Sequence, residues 1–236
     1  MKKIAAIGLA ALAAVALAIV PADAKKKPKP HHHAKPPKVA VCPVNMSPGK
    51  PGKLVYDATR AFYDVSPKIP QSLLRSAKGI IIVPALVKVG FIIGGQGGDA
   101  VLLRRNGATW TYPAFYSMGS PSLGLQAGVS SAQIVMLLMT DRAVAAVRQE
   151  RFRLGTEAGL AVGMAGGNDG DASFHGDIIG WARAGGLYVG LTINDSTLEQ
   201  KPEMNAEYYG HMVPFDDLYM GRACNRDADP LRAALR

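Results

Sequence analysis

This chain has few cysteines and few aromatic residues, and it lacks the short motifs that mark common catalytic sites. Two of its 236 residues are cysteine and 7% are aromatic. It contains no H-E-x-x-H, G-x-S-x-G or C-x-x-C sequence, the patterns typical of zinc proteases, serine hydrolases and thiol redox proteins. The sequence therefore gives no positive argument for an enzyme. We expect a non-enzymatic protein that needs neither a cofactor nor a metal.

The first 24 residues have the pattern of an export signal. Lys2 and Lys3 precede an apolar run over residues 4–20, and residues 22–24 form a small-x-small cleavage site. The run is short for a membrane span of about 20 residues, and no other segment is long and apolar enough to span a bilayer. We therefore interpret residues 1–24 as a cleaved signal peptide and expect a secreted, periplasmic chain that begins at Lys25.

Residues 25–53, the basic tail, combine lysine with proline and are too polar to form a core, so we predict an extended linker. The tail carries eight of the nine net positive charges of the chain and no acidic residue. The remaining segment, residues 54–236, is then close to neutral and is predicted to be a single folded domain. The basic residues of the tail are Lys25, Lys26, Lys27, Lys29, Lys35, Lys38, Lys50 and Lys53.

Cys42 and Cys224 are the only cysteines. In an oxidising compartment an even pair is most simply a disulfide, which would tie the end of the tail to the C-terminal region. Two free thiols are the alternative.

Hydrophobic periodicity predicts an α+β domain. Apolar residues at helical spacing over residues 54–65 and 71–77 predict two N-terminal helices, and Thr140 is placed to cap an inserted helix. Between and after them, β-type runs are separated by Gly, Pro, Asn or Ser, and Asn106-Gly107 predicts a hairpin. We expect a strongly curved antiparallel sheet or a barrel-like core. The predicted strands cover residues 79–83, 89–93, 100–104, 109–112, 123–129, 133–139, 159–163, 172–181 and 187–193.

Three motifs resemble ligand sites but lack the context that such sites need. Residues 94–100 contain a G-x-G-x-x-A string, yet a strand follows it where a dinucleotide site requires a helix. Residues 166–171 resemble a calcium turn that occurs once rather than in an array. Residues 31–33 are histidines in a Lys/Pro tail, which makes no preformed metal site.

Two histidines are the candidates for a hydrolase. Ser173, His175 and Asp177 alternate along a predicted strand, but neighbouring positions on one strand rarely converge on a single reacting atom. A third hypothesis is therefore a hydrolase that uses His175 or His211.

Several blocks in a fixed order resemble the SYLF domain, also called the Ysc84 domain. They are KGIIIVP at residues 78–84, GFIIGG at 90–95, WTYPAF at 110–115, GLQAG at 124–128, FRLG at 152–155, GLYVG at 186–190 and YYG at 208–210. The similarity covers about residues 54–212. Two positions depart from the family pattern, because residues 163–167 lack its arginine and Trp181-Ala182 replaces a Tyr-Ser step.

This resemblance implies a lipid-binding module. Eukaryotic members of the family recognise phosphoinositides and, in some cases, actin-patch partners, whereas bacterial members are exported, so a bacterial-type signal argues against actin here. We predict binding to an anionic phospholipid membrane at the cell envelope, with attraction from the basic tail. The alternative is an envelope scaffold whose tail binds phosphate-bearing polymers or a partner protein. The candidate lipid-binding residues are Arg60, Lys78, Lys88, Phe91, Arg104, Arg105 and Trp110.

Overall fold

The structure is a computed structural model that describes residues 42, 49–90, 93–123, 128–155, 160–162, 176–189 and 195–236. The predicted signal peptide and most of the basic tail lie outside these residues. Six α-helices occur in the described segments: α1 (Lys50–Val65), α2 (Gln71–Ser76), α3 (Asp141–Ala146), α4 (Pro202–Tyr209), α5 (Phe215–Tyr219) and α6 (Asp229–Ala234).

Within the described residues, ten strands form one sheet. They are β1 (Gly79–Gly90), β2 (Ile93–Asn106), β3 (Thr109–Trp110), β4 (Ala114–Leu123), β5 (Gly128–Leu138), β6 (Arg151–Arg153), β7 (Leu160–Val162), β8 (Ile178–Ala184), β9 (Leu187–Val189) and β10 (Thr197–Gln200).

The sheet is open and almost entirely antiparallel. Its order is β6-β10-β4-β2-β1-β5-β8-β7, with β3 paired to β2 and β9 paired to β8. Only the pairing of β7 with β8 is parallel among the described strands. The predicted α+β class and antiparallel sheet are confirmed, and the end strands β6 and β7 do not pair with each other within the described residues.

A proline explains the irregularity in the central strand. Pro84 lies within β1, and the register with β2 shifts between Ile82 and Val87. Proline has no backbone N–H to donate to a neighbouring strand, so within a sheet it is confined to edges and bulges. Opposite this bulge, a Cβ on Gly98 would lie 2.3 Å from the carbonyl oxygen of Ala85. The close approach of the two strands therefore requires glycine at position 98.

Helix α1 covers one part of the sheet. Its apolar face is buried as the hydrophobic pattern predicts, and it contacts β1, β5 and α6. The helix begins at Lys50, four residues before the start of the predicted apolar pattern, because Pro51 is well suited to the first helical turn. The buried residues are Pro51, Leu54, Val55, Ala58, Ala61, Phe62 and Val65.

Thr140 caps the inserted helix as predicted. Its side chain accepts a hydrogen bond from the backbone N–H of Ala143, which satisfies a free donor of the first turn of α3. The Thr140 hydroxyl also donates to Asp177 at 2.6 Å.

The C-terminal segment is joined to the start of the domain by a disulfide. Cys42 and Cys224 are bonded, with their Cα atoms 5.5 Å apart, which confirms the predicted pair. Helices α4, α5 and α6 belong to this segment and were not predicted. No helix among the described residues is both long and apolar enough to cross a membrane.

Candidate functional site

Three central strands bring charged residues together at one edge of the sheet. Lys78 immediately precedes β1, Arg104 and Arg105 lie near the end of β2, and Asp141 follows β5 as the first residue of α3. Antiparallel pairing places Gly79 opposite both Arg104 and Leu138. One residue before Gly79, the Lys78 N–H donates to the Leu138 carbonyl and the Lys78 carbonyl accepts from the Arg105 N–H, both at 2.8 Å. Backbone pairing thus fixes the positions from which these side chains extend.

A cavity of about 420 Å³ opens at this edge, and we call it the basic recess. It contains three cations and one carboxylate, so its lining has a net positive charge. The recess is lined by Ser76, Ala77, Lys78, Arg104, Arg105, Gly107, Asp141, Val144 and Tyr219.

Arg105 is held by the end of helix α2 and by an aromatic ring. Its Nε donates to the carbonyl of Ala77 at 2.7 Å, and its Nη2 donates to the carbonyl of Leu74 at 2.6 Å. Its guanidinium carbon lies 4.2 Å from the centre of the Trp110 ring. Removal from water lowers the pKa of Arg105 from its ordinary value, yet arginine keeps its proton in proteins. Arg105 is therefore a fixed positive charge in the wall of the recess.

Arg104 is fixed by the C-terminal segment. Its Nε donates to the carbonyl of Tyr219 at 2.7 Å, and its guanidinium lies 4.9 Å from the centre of the Tyr219 ring. Arg148 also stacks on that ring, at 5.0 Å. Burial raises the pKa of the Tyr219 hydroxyl, whereas the nearby charges of Arg104 and Arg148 oppose this rise. The two terminal nitrogens of Arg104 have no hydrogen-bond partner among the described residues, which leaves them available to an anion.

Lys78 is paired with Asp141 inside the basic recess. Its Nζ lies 2.6 Å from a carboxylate oxygen of Asp141. The Asp141 side chain is 88% exposed and that of Lys78 is 42% exposed. An ion pair this open to water is weak, so the carboxylate is readily moved from the lysine.

The other candidate lipid-binding residues lie elsewhere. Trp110 is buried and donates from its indole N–H to the Leu235 carbonyl at 2.8 Å, so it supports Arg105 rather than facing solvent. Arg60 is exposed on α1. Lys88 lies on β1, ten residues after Lys78. The rise of an extended strand separates the two backbone positions by about 30 Å. Phe91 lies outside the described residues.

The structure gives no support to the alternative ligand and catalytic sites in the parts of the chain that it describes. Residues 94–99 run along β2 as a strand, so the glycine string opens no helix and forms no dinucleotide site there. Asp177 accepts from Thr140 and pairs with Arg142, which gives it a structural role beside α3. Residues 31–33 and 166–171, Ser173 and His175 lie outside the described residues. His211 is exposed beside the carbonyl of Tyr209.

Six lining residues were not among the predicted site residues: Ser76, Ala77, Gly107, Asp141, Val144 and Tyr219. A carboxylate is favourable at the start of any helix, so Asp141, directly after the predicted cap Thr140, carries no local signal of a ligand site. Tyr219 carries no local signal, because its approach to Arg104 depends on how α5 packs against the sheet. The C-terminal contribution to the site is therefore a result of tertiary structure.

Comparison with known proteins identifies the family to which this α+β domain belongs. The model of the Ysc84 family, described as "Las17-binding protein actin regulator", matches residues 119–236, half of the chain. The chain belongs to the Ysc84 (SYLF) family, which confirms the resemblance inferred from its sequence blocks. The matched region contains Asp141, Val144 and Tyr219 of the basic recess.

Curated relatives are longer proteins. An SH3 domain-containing YSC84-like protein 1 of Bos taurus is 27% identical over 158 residues, which is 65% of this chain and 46% of the relative. An SH3 domain-containing protein of Schizosaccharomyces pombe is 29% identical over 175 residues, 71% of this chain and 40% of the relative. LAS seventeen-binding protein 3 of Saccharomyces cerevisiae is 26% identical over 161 residues, 65% of this chain and 35% of the relative. The chain thus spans less than half the length of these relatives.

Proposed function

We propose that this protein is a non-enzymatic lipid-binding protein that associates with anionic phospholipid at a membrane surface in the cell envelope. The observation that carries the proposal is the convergence of Lys78, Arg104 and Arg105 on one cavity. In this proposal the protein is exported to the periplasm by its signal peptide, and the basic recess holds the phosphate of the headgroup.

The way in which the arginines are held supports binding of a phosphate. Backbone carbonyls accept from Nε of both arginines and from Nη2 of Arg105. The side chains are therefore already ordered before a ligand arrives, and binding costs less conformational entropy. Planar guanidinium groups also match the geometry of phosphate oxygens. The cavity volume of about 420 Å³ lies in the range of small-ligand sites.

The basic tail supplies a second, less specific attraction. Each lysine near an anionic bilayer contributes about 1 kcal/mol, and this contribution falls as salt screens it. In the proposal the tail brings the protein to the surface, and the basic recess adds the contacts that depend on the headgroup.

Vesicle sedimentation tests the proposal. Vesicles of phosphatidylcholine with phosphatidylglycerol or cardiolipin are mixed with the mature protein at low and high salt, with pure phosphatidylcholine as the control. We expect sedimentation with the anionic vesicles, weaker at high salt. No binding to either anionic lipid under either condition would overturn the proposal.

Two matched variants locate the binding. Arg104→Gln removes a cation of the basic recess, whereas Arg60→Gln removes an exposed cation of α1. We expect the first to weaken vesicle binding about tenfold or more, as for loss of a charged hydrogen bond, and the second by less than about twofold. Equal effects of the two variants would show that the recess has no special role.

A second candidate is an envelope interaction protein. It is favoured by the description of the family and by the name of one relative, which mention binding to Las17 and not to lipid. Deleting residues 25–41 separates the two ideas, because it removes most of the basic tail and keeps both Cys42 and helix α1. Binding to vesicles that survives the deletion supports a lipid site in the domain. Complete loss assigns the attraction to the tail, as expected for a scaffold whose tail contacts phosphate-bearing polymers or a partner.

A further inference from the structure

We propose that Asp141 is an internal anion that a ligand must displace from Lys78, so that the basic recess favours doubly charged phosphomonoesters over singly charged phosphodiesters. This inference rests on the proposed function and names the headgroup chemistry that the recess selects. The chemistry is shared by a phosphomonoester lipid and by a soluble phosphate ester, and the test below separates them.

The position of Asp141 makes it a competitor for the ligand. It is the first residue of α3, directly after the segment that leaves β5, and it lines the same cavity as the three cations. Lys78 is its only hydrogen-bond or ion-pair partner among the described residues, at 2.6 Å. The carboxylate therefore occupies the place beside Lys78 that a phosphate oxygen would take.

Asp177 shows what a structural carboxylate in this neighbourhood looks like. It is buried, accepts a hydrogen bond from Thr140 and pairs with Arg142. Asp141 has none of these restraints and its side chain is 88% exposed. Asp141 can therefore turn away from Lys78 without breaking another hydrogen bond or ion pair of the described structure.

The charges in the basic recess then set a threshold for the ligand. A phosphodiester carries one negative charge, as the carboxylate of Asp141 does. Its attraction to Lys78 is therefore offset by loss of the attraction between Asp141 and Lys78. A phosphomonoester carries about 1.5 to 2 negative charges at neutral pH. It replaces Asp141 at Lys78 and has charge left for Arg104 and Arg105. The recess therefore discriminates by the charge of the phosphate as well as by its presence.

The test compares two lipids in vesicles of equal surface charge. Phosphatidic acid presents a phosphomonoester and phosphatidylglycerol a phosphodiester, each diluted in phosphatidylcholine at about pH 8, where the monoester is close to doubly charged. We expect the unaltered protein to bind the phosphatidic acid vesicles more tightly. In Asp141→Asn we expect binding to phosphatidylglycerol to rise by about two- to fivefold, the range of an exposed ion pair, and the preference to narrow.

Asp57→Asn is the matched control. Asp57 forms an exposed pair with Lys53 on α1, away from the basic recess, so the variant removes the same charge from the protein. We expect it to leave the ratio between the two lipids unchanged. A second variant, Asp141→Ser, keeps a residue that suits the start of a helix and should repeat the effect of Asp141→Asn.

The outcomes separate this inference from the proposed function. Binding to both vesicles with no preference, and with no change in either Asp141 variant, overturns the inference and leaves lipid binding intact. Binding to neither vesicle overturns lipid binding. Glycerol 3-phosphate then identifies the source of the phosphate: competition at concentrations that leave the vesicles intact shows a site for the ester itself. Absence of competition, together with a preference for phosphatidic acid that Asp141→Asn narrows, shows that the site needs the lipid surface.

Discussion

The basic recess and the outer face of helix α1 both present cations, but they hold them differently. We define that outer face by Lys53, Tyr56, Arg60 and Tyr63, which follow one another at helical spacing. Tyr56 is 62% exposed and Tyr63 is 60% exposed. Arg60 is also exposed and has no ion pair among the described residues. In the recess, Arg104 and Arg105 donate to three backbone carbonyls and stack on Tyr219 and Trp110.

The difference shows that charge and binding specificity are separate properties of a surface. A mobile cation on α1 attracts any nearby anion, and each long side chain loses rotamer freedom when it becomes ordered. A cation fixed by backbone carbonyls has already lost that freedom on folding. It therefore binds best those ligands whose oxygens match its fixed position. The comparison predicts that substitutions in the recess affect both stability and binding, whereas those on α1 affect neither strongly.

Loss of the disulfide should have the largest effect, because it releases the attachment of the chain before α1. Cys42 and Cys224 are 182 residues apart, and opening so long a loop should lower the free energy of unfolding by about 5 kcal/mol in the chain-entropy account. Urea denaturation of the Cys42→Ser/Cys224→Ser double variant measures this, and reduction of the unaltered protein should reproduce it. A loss below about 1 kcal/mol would show that the bridge does little to stabilise the domain.

Arg105→Ala should destabilise the fold by about 2–3 kcal/mol, because two charged hydrogen bonds to backbone carbonyls and the stacking on Trp110 are lost together. Arg60→Ala should change the free energy of unfolding by no more than about 0.5 kcal/mol. Urea denaturation of both variants compares the two regions directly. Similar losses would break the distinction between fixed and mobile cations.

Alkaline pH should lower the stability of the folded domain. Burial raises the pKa of Tyr116 and of Tyr219 above the ordinary value of 10.0. Above that value the unfolded chain loses these protons while the folded chain keeps them, so stability is full below pH 10 and falls as the pH rises. Each such tyrosine contributes a slope of up to about 1.4 kcal/mol per pH unit.

Urea midpoints between about pH 9 and pH 11 check this expectation. Tyr116→Phe should reduce the slope, although it also loses the hydrogen bond from the Tyr116 hydroxyl to the Val147 carbonyl. Constant stability over that interval would contradict it.

Lys53→Ala should have the smallest effect. The variant breaks the exposed pair with Asp57 on α1, which should cost about 0.3–0.5 kcal/mol, as for other pairs at this helical spacing. Thermal melts of the variant at low and high salt measure it. A loss above about 1 kcal/mol would mean that the outer face of α1 is held more firmly than its exposure indicates.

Local patterns predict the parts of this fold that depend on neighbouring residues. The apolar face of α1, the Thr140 cap and the turn after Asn106 all follow from spacing or from side-chain chemistry. The structure shortens the second strand of that hairpin to Thr109–Trp110. Strand β4 was missed because it contains Gly119, Pro121 and several serines, which are poor strand formers, and it is held by pairing with β2 and β10.

Helix α4 was not predicted, although the sequence contains its start and stop signals. Pro202 starts α4 and Gly210 ends it with φ 74°, so the usual start and stop signals for a helix are present in the sequence. Strands β6 and β10 have three and four residues, too few for an alternating pattern to be recognised.

The residues of the candidate site also fall into two groups, those predicted from the sequence and those placed by tertiary contacts. Lys78, Arg104 and Arg105 were predicted because they lie beside the family blocks. Asp141 and Tyr219 were not, because their contacts depend on the pairing of β1 with β5 and on the packing of α5.

The central position of β1 has a consequence for how the protein folds. Its two partners are β2, which follows it directly, and β5, which follows only after β3 and β4. Long-range pairings of this kind slow folding, because loop closure is unfavourable until the contacts form. The basic recess needs both pairings and also α5. Its ability to bind should therefore appear late in refolding, and a kinetic binding assay would report completion of the native topology.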